Sequence, residues 1–319
     1  MEIETTDYHT AGEPFRIVTG GGPALLGTSI LDRRRDARDN HDRIRRLLVN
    51  EPRGHADMYG CFVTDPDDAG ADIGVVFFHN DGYSTACGHG TIALVTWALE
   101  SGRLPVVESR TRVVVDVPSG RLETIAEVEG GKVRSVLFRN VPSFVVEREL
   151  VLGRFKVAIA FGGAFYAIVP AAQAGLKIEP RHLPQLIDLG RGIKQHIEAQ
   201  MDIVHPLEPE LRDIYGVVFT DGDRNVTIFA NGEVDRSPCG SGTSARLALL
   251  HATGELRSGE DLRHISIIDT EFRGRVVAET EVGGRRAVIT EVEGSAYLTG
   301  HHRFILDDQD PLGTGFLLR

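Results

Sequence analysis

Two cysteines in matching surroundings are the residues of this chain best suited to chemistry. One stands in Ala86-Cys87-Gly88-His89-Gly90-Thr91-Ile92-Ala93. The other, 152 positions later, stands in Pro238-Cys239-Gly240-Ser241-Gly242-Thr243-Ser244-Ala245. The spacing holds beyond the motif, since Gly102 matches Gly254 and Leu104 matches Leu256. A thiolate is a good base and a thiol a ready acid. Two of them in equivalent settings of two similar halves suit a reaction that takes a proton from one face of a carbon and returns one to the other. Such a pair inverts a stereocentre without a cofactor, and no cofactor is expected.

Each cysteine must be held by the run that follows it. Thr91–Leu99 and Thr243–Leu250 are apolar nearly all round and end near Gly102 and Gly254. That pattern predicts a buried helix with glycine at its C-terminal stop. The thiols then fall at helix N-termini, where unpaired N–H groups and partial positive charge favour a thiolate or a small anion. Gly88, Gly90, Gly240 and Gly242 leave the backbone bare, so N–H groups of this stretch, with those of His89 and Ser241, can approach a carboxylate. Removing an α-proton from an amino acid leaves a carbanion that many enzymes spread into pyridoxal phosphate. The lysines, Lys132, Lys156, Lys177 and Lys194, suggest no pyridoxal site. Donors aimed at the carboxylate in a dry pocket are the expected substitute. The two thiols share a proton and titrate as a unit. His89 and Asp235 are placed to set that protonation or to hold a ring nitrogen.

Plainer readings compete. A cysteine at a helix start is commonly a small core residue, but the Gly-x-Gly-Thr context repeats in both halves. Cys87, His89 and Cys239 are soft metal ligands, yet the close Cys-x-x-Cys type of spacing is absent and no metal is expected. The glycines lack the Lys-Ser/Thr of a P-loop. Cys61 reads as an inert strand residue, His79 as a turn partner, and His301 and His302 as surface residues.

The chain has 319 residues, 41% hydrophobic and 25% charged, which fits a globular protein of two domains. Its net charge of −11 argues against nucleic acid or an anionic membrane as partner. Met1–Asp7 carries acids where an export signal has bases, and no run approaches the ~20 apolar residues of a membrane helix. Three cysteines make no disulfide framework, so the cytoplasm is the expected compartment. Residues 75–78, 112–117, 157–160, 217–219, 226–229 and 287–290 read as buried strands. Asp39–Asn50 and Leu183–Gln200 read as further helices, and Ser119-Gly120, Gly130-Gly131 and Gly283-Gly284 as turns.

At these residues the chain resembles the proline racemase superfamily of proline racemases, 4-hydroxyproline 2-epimerases and trans-3-hydroxy-L-proline dehydratases. The resemblance is carried by His9-Thr10-Ala11-Gly12-Glu13-Pro14, Glu51-Pro52-Arg53-Gly54-His55, Cys87-Gly88-His89-Gly90, Asn140–Phe144, Phe161–Phe165 and Asp235-Arg236-Ser237-Pro238-Cys239-Gly240. It implies an α/β (α+β) fold of diaminopimelate-epimerase type, two pseudo-symmetric halves that are each a curved sheet around a central helix. The expected halves are 1–121 plus 296–319, carrying Cys87, and 122–295, carrying Cys239. It implies a cleft between them with Cys87 and Cys239 as catalytic residues on opposite faces of a proline-type substrate. Gly88, His89, Gly90, Gly240, Ser241 and Gly242 would hold its carboxylate, and His89 and Asp235 its imino nitrogen. Arg53–Gly60 and Gly82–Thr85 look like the dehydratases, but those typically carry threonine in place of Cys239. Retention of Cys239 favours racemisation or epimerisation, with dehydration by Cys87 alone, a dual activity, or a non-catalytic imino-acid-binding relative as alternatives. The expected partners are a small imino acid and, at most, a second copy of the chain in a homodimer.

Overall fold

The structure, a computed structural model, describes residues 1–318. By its internal contacts the chain forms two compact units. One is Met1–Val136 together with the chain from Ser295 onward; the other is Leu137–Gly294.

The first unit strings together β1 (Glu2–Thr10), β2 (Glu13–Gly20), β3 (Tyr59–Thr64), β4 (Ile73–His79), β5 (Ser109–Val117) and β6 (Gly120–Glu129), while β7 (Lys132–Arg139) carries the chain onward. β1–β2, β3–β4 and β5–β6 pair antiparallel; β2–β3 and β4–β5 pair in parallel. Every residue of β4 is buried, the mark of a strand covered on both faces. The helices are α1 (Ile30–Asn40), α2 (Asp42–Val49) and α3 (Gly88–Glu100), and α3 packs against β1, β2, β3 and β6. The chain's last strand returns to this unit and pairs with β1 from Glu2↔Ile305 to Thr10↔Ala296.

Two details differ from the pattern reading. A crossover at 121/122 would cut a hairpin whose strands pair from Ser109↔Val128 to Val117↔Gly120, and these bonds keep β6 in the first unit. The helix expected over 39–50 is α2 at Asp42–Val49, and α1, ending at Asn40 just before it, is a helix the pattern did not give. Ser29 starts α1 with a capping box to Asp32, and His41, at φ −128° and ψ 8°, breaks the chain before α2.

The second unit contains β8 (Ser143–Leu152), β9 (Phe155–Phe161), β10 (Phe165–Pro170), α4 (Leu183–Glu198), β11 (Ile214–Asp221), β12 (Arg224–Phe229), β13 (Glu233–Asp235), α5 (Gly240–Thr253), β14 (Asp261–Ile265), β15 (Glu271–Val282) and β16 (Arg285–Gly294); β17 (Ala296–Ile305) is the returning strand. Its pairings run β8–β9–β10–β11–β12–β14–β15–β16 and then back to β8, closing a barrel. α5 packs against β8, β9, β10, β15 and β16. Closure removes the sheet edges, and a helix inside a barrel must be apolar on all sides. That is why Gly240–Ala248 is buried throughout and why α3, wrapped by its own sheet, is buried from Gly88 to Leu99. No helix among the described residues is long and apolar enough to cross a membrane.

Candidate active site

In the first unit Cys87 is the N-cap of α3, with ordinary extended backbone at φ −153° and ψ 97°. Its Sγ accepts the N–H of Gly90 at 3.2 Å. Both ring nitrogens of His89 lie 3.5 Å from that sulfur. The imidazole is fixed by edge-on contacts with Phe15 and Tyr59, at centroid distances of 5.7 and 4.9 Å. The Tyr59 hydroxyl in turn bonds Ser84, and Thr10 bonds the His89 carbonyl at 2.9 Å. Cys87 and His89 are 6% and 3% exposed, so the thiol and its imidazole neighbour sit where water is nearly excluded.

In the second unit Cys239 is the N-cap of α5, but its backbone is at φ 62° and ψ 106°. A non-glycine residue held there stores ~1–3 kcal/mol of strain and persists only where its surroundings over-determine it. The surroundings do so. Asp235 accepts the N–H and hydroxyl of Ser237 at 2.8 and 2.7 Å, and the Ser237 hydroxyl accepts the Cys239 N–H at 3.1 Å. Downstream, the Thr243 N–H and hydroxyl both donate to the Cys239 carbonyl, at 2.8 and 2.6 Å. The thiol itself reaches the Tyr166 hydroxyl at 3.7 Å, and that hydroxyl bonds Ser241 at 2.6 Å.

Burial above all, then the neighbouring Asp235 charge, pushes the Cys239 thiol up to about 12. Burial pushes the Asp235 carboxyl up to about 6 against the bonds from Ser237 and Cys239. Near neutral pH, therefore, Cys239 holds its proton and Asp235 is ionised. Cys61, buried in β3, is raised by burial alone. His79 accepts the Asp81 N–H at 3.2 Å, as expected of a turn partner.

The Gly-x-Gly pattern has a steric cause. A Cβ on Gly90 would lie 2.6 Å from Cys87 Sγ and 2.4 Å from the Phe15 ring; one on Gly242 would lie 2.9 Å from Cys239 Sγ. At these third positions the glycine makes room for the sulfur. The Gly90 N–H is turned onto its thiol. The first turn of a helix has N–H groups without intrahelical acceptors, the kind of donor that can hold a small anion.

Within its own unit, His89 lies beside the Cys87 thiol, Asp235 is linked to the Cys239 N–H through Ser237, and Ser241 is linked to the Cys239 thiol through the Tyr166 hydroxyl. Tyr166, Tyr59, Thr243 and His264 escaped sequence reading. Tyr166 directly follows the Phe161–Phe165 segment, Thr243 matches Thr91 in the repeat, and Tyr59 lies in the Arg53–Gly60 run, but none of these signals assigns a role; His264 carries no local signal. Among the described residues no group of three or more His, Cys, Asp or Glu side chains could hold a metal ion.

Comparison with known proteins identifies the family. The family model described as proline racemase matches residues 5–317. The chain is 46% identical to a trans-3-hydroxy-L-proline dehydratase of Bacillus cereus, over 98% of this chain and 97% of that one. It is 43% identical to a proline racemase of Clostridioides difficile, over 99% and 98%. Its fold is similar to that of a hydroxyproline epimerase from Agrobacterium vitis solved with trans-4-hydroxy-L-proline, with a TM-score of 0.94, 33% identity and coverage of 99% and 96%. With its two helix-bearing halves and their matched Cys-Gly-x-Gly turns, the chain belongs to the proline racemase family, whose named members here are racemases, epimerases and dehydratases of proline-type imino acids.

Proposed function

We propose that this protein is a cofactor-independent racemase or epimerase that inverts Cα of proline or a hydroxyproline, with Cys87 and Cys239 as its acid/base pair. The observation that carries this reading is the pair of buried thiols, each capping the central helix of its half. In this reading the helix-start N–H groups of Gly88, His89, Gly240 and Ser241 bind the carboxylate and stabilise the charge that develops as the α-proton leaves. His89 and the ionised Asp235 hold the imino nitrogen. Cys239 holds a proton at neutral pH, so it is the donor and Cys87 the base for one enantiomer; the roles exchange for the other.

A second reading, dehydration of trans-3-hydroxy-L-proline, is favoured by the 46% identity to a protein of that name. It needs one base at Cα, and Cys239 stands where the resemblance leads one to expect threonine. Proton NMR in D₂O separates the two. With L-proline or trans-4-hydroxy-L-proline, inversion replaces the α-proton signal by the deuterated opposite configuration. Loss of trans-3-hydroxy-L-proline to a cyclic imine, with no inversion of the other two, would replace the first reading by the second.

The motif glycines give a further expectation. Gly90→Ala forces the Cys87 sulfur or the Phe15 ring aside, and a displacement approaching 1 Å costs on the order of 10²-fold in turnover. Gly242→Ala, whose nearest contact is the longer one to Cys239 Sγ, is expected to cost less. Turnover measured beside thermal unfolding checks this, and a Gly90→Ala enzyme at full rate would show that the sulfur's place is not critical.

A further inference from the structure

We propose that His264 is a positioning residue for Cys239, acting through the Thr243 hydroxyl; the inference rests on Cys239 being an acid–base group. The Thr243 hydroxyl has one hydrogen. The Cys239 carbonyl, 2.6 Å away, can only accept, so the hydrogen is committed there. His264 Nδ1 lies 2.7 Å from the same oxygen. With the hydroxyl hydrogen spent, that contact is a bond only if Nδ1 carries the proton and donates it. His264 is therefore the Nδ1–H tautomer, and Nε2 is the bare nitrogen.

The surroundings fit this assignment. His264 is fully buried, and burial with the nearby Arg246 charge holds it well below the usual histidine range, so the ring is neutral. Nε2 has no hydrogen-bond partner among the described residues. A buried nitrogen left bare is a cost, tolerated here because the other nitrogen secures the helix start.

The two halves differ at this point in a way that indicates what the bond is for. Thr91 makes the matching bond to the Cys87 carbonyl at 2.9 Å, and among the described residues no histidine bonds its hydroxyl. Cys87 has ordinary extended backbone, whereas Cys239 has a positive φ. The additional anchor occurs in the half whose cysteine is strained. Ser237 grips the Cys239 N–H and Thr243 its carbonyl, and His264 orients the hydroxyl that does the second job.

The test pairs His264→Asn with His264→Gln, and Thr243→Ser with Thr243→Val. An asparagine N–H falls near the place of Nδ1, a glutamine N–H near that of Nε2. We expect His264→Gln and Thr243→Val to lower kcat by about 10- to 100-fold with KM changed by less than about threefold. They should also shift the pH profile of Cys239 alkylation by iodoacetamide, followed by peptide mass. His264→Asn and Thr243→Ser should stay within about threefold of the parent in both readouts. Equal behaviour of the asparagine and glutamine variants, or losses confined to thermal stability, would overturn the proposal. If His264→Gln does not fold, the serine and valine variants decide by the same readouts. If the parent turns over no imino acid, the proposed function fails, and the alkylation profiles still decide the role of His264.

Discussion

Cys239→Ser is expected to abolish inversion while leaving hydrogen exchange at Cα for one enantiomer. A serine hydroxyl is a far weaker acid than a thiol, and a positioned acid–base group contributes ~10²–10⁴ in rate, so inversion should fall by at least about a hundredfold. Cys87 remains. It can still take the α-proton of the enantiomer that presents it and return a deuteron to the same face. In D₂O that enantiomer should lose its α-proton signal and keep its configuration, while the other stays protonated. Cys87→Ser should be the more damaging change, because the remaining thiol is held up to about 12 and is a poor base at neutral pH. The same variants address dehydration. If Cys87→Ser stops loss of trans-3-hydroxy-L-proline and Cys239→Ser does not, the elimination needs only one base. A Cys239→Ser enzyme that inverts both enantiomers at the parent rate would exclude the two-thiol mechanism.

How much of this was legible in sequence depended on the range of the interaction. The two central helices could be read because they obey local rules: an apolar run on all sides, a bare Cys-Gly-x-Gly start, and a glycine stop that Gly254 supplies at φ 78°. The strands at 73–79, 214–221 and 224–229 could be read because both faces are covered and the runs are unbroken. His89 and Asp235 lie within four residues of a cysteine and shared its signal. What stayed hidden depends on folding. Tyr166 reaches Cys239 only because β10 and α5 pack together. His264 lies 21 positions beyond Thr243, on a strand whose sequence shows nothing but alternation. The backbone of Cys239 could not be foreseen either. Pro238 before it and Gly240 after it are compatible with several turns, and only the bonds from Ser237 and Thr243 select φ 62°. The hairpin at 109–129 shows the same limit, since Ser119-Gly120 was visible as a turn but the length of the ladder beyond it was not.

Asp235→Asn is expected to make the protein more stable at alkaline pH and nearly inactive. The folded state holds the Asp235 proton up to about 6, whereas the unfolded carboxyl releases it near 3.8. A fold that binds a proton more tightly than its unfolded chain has the full benefit below pH 3.8 and loses it as the pH rises through about 6. At pH 8 the ionised, buried carboxylate therefore costs on the order of 3 kcal/mol. Asparagine removes the charge, and its side-chain oxygen can still accept both bonds from Ser237. Denaturant unfolding at pH 8 should show a gain of roughly 1–3 kcal/mol, and the fall in stability between about pH 4 and 6 should flatten. The same substitution removes a charge that raises the Cys239 thiol. Alkylation of Cys239 at pH 9 should accelerate accordingly. Turnover should drop by about 10²-fold or more, because the proposed mechanism loses the anion that holds the imino nitrogen and the charge that keeps Cys239 protonated. A variant less stable at pH 8, with the pH slope unchanged, would mean that Asp235 is not the ionised buried group described here. Stability, thiol acidity and turnover moving together as stated would identify Asp235 as a residue whose charge is kept for chemistry at the expense of the fold.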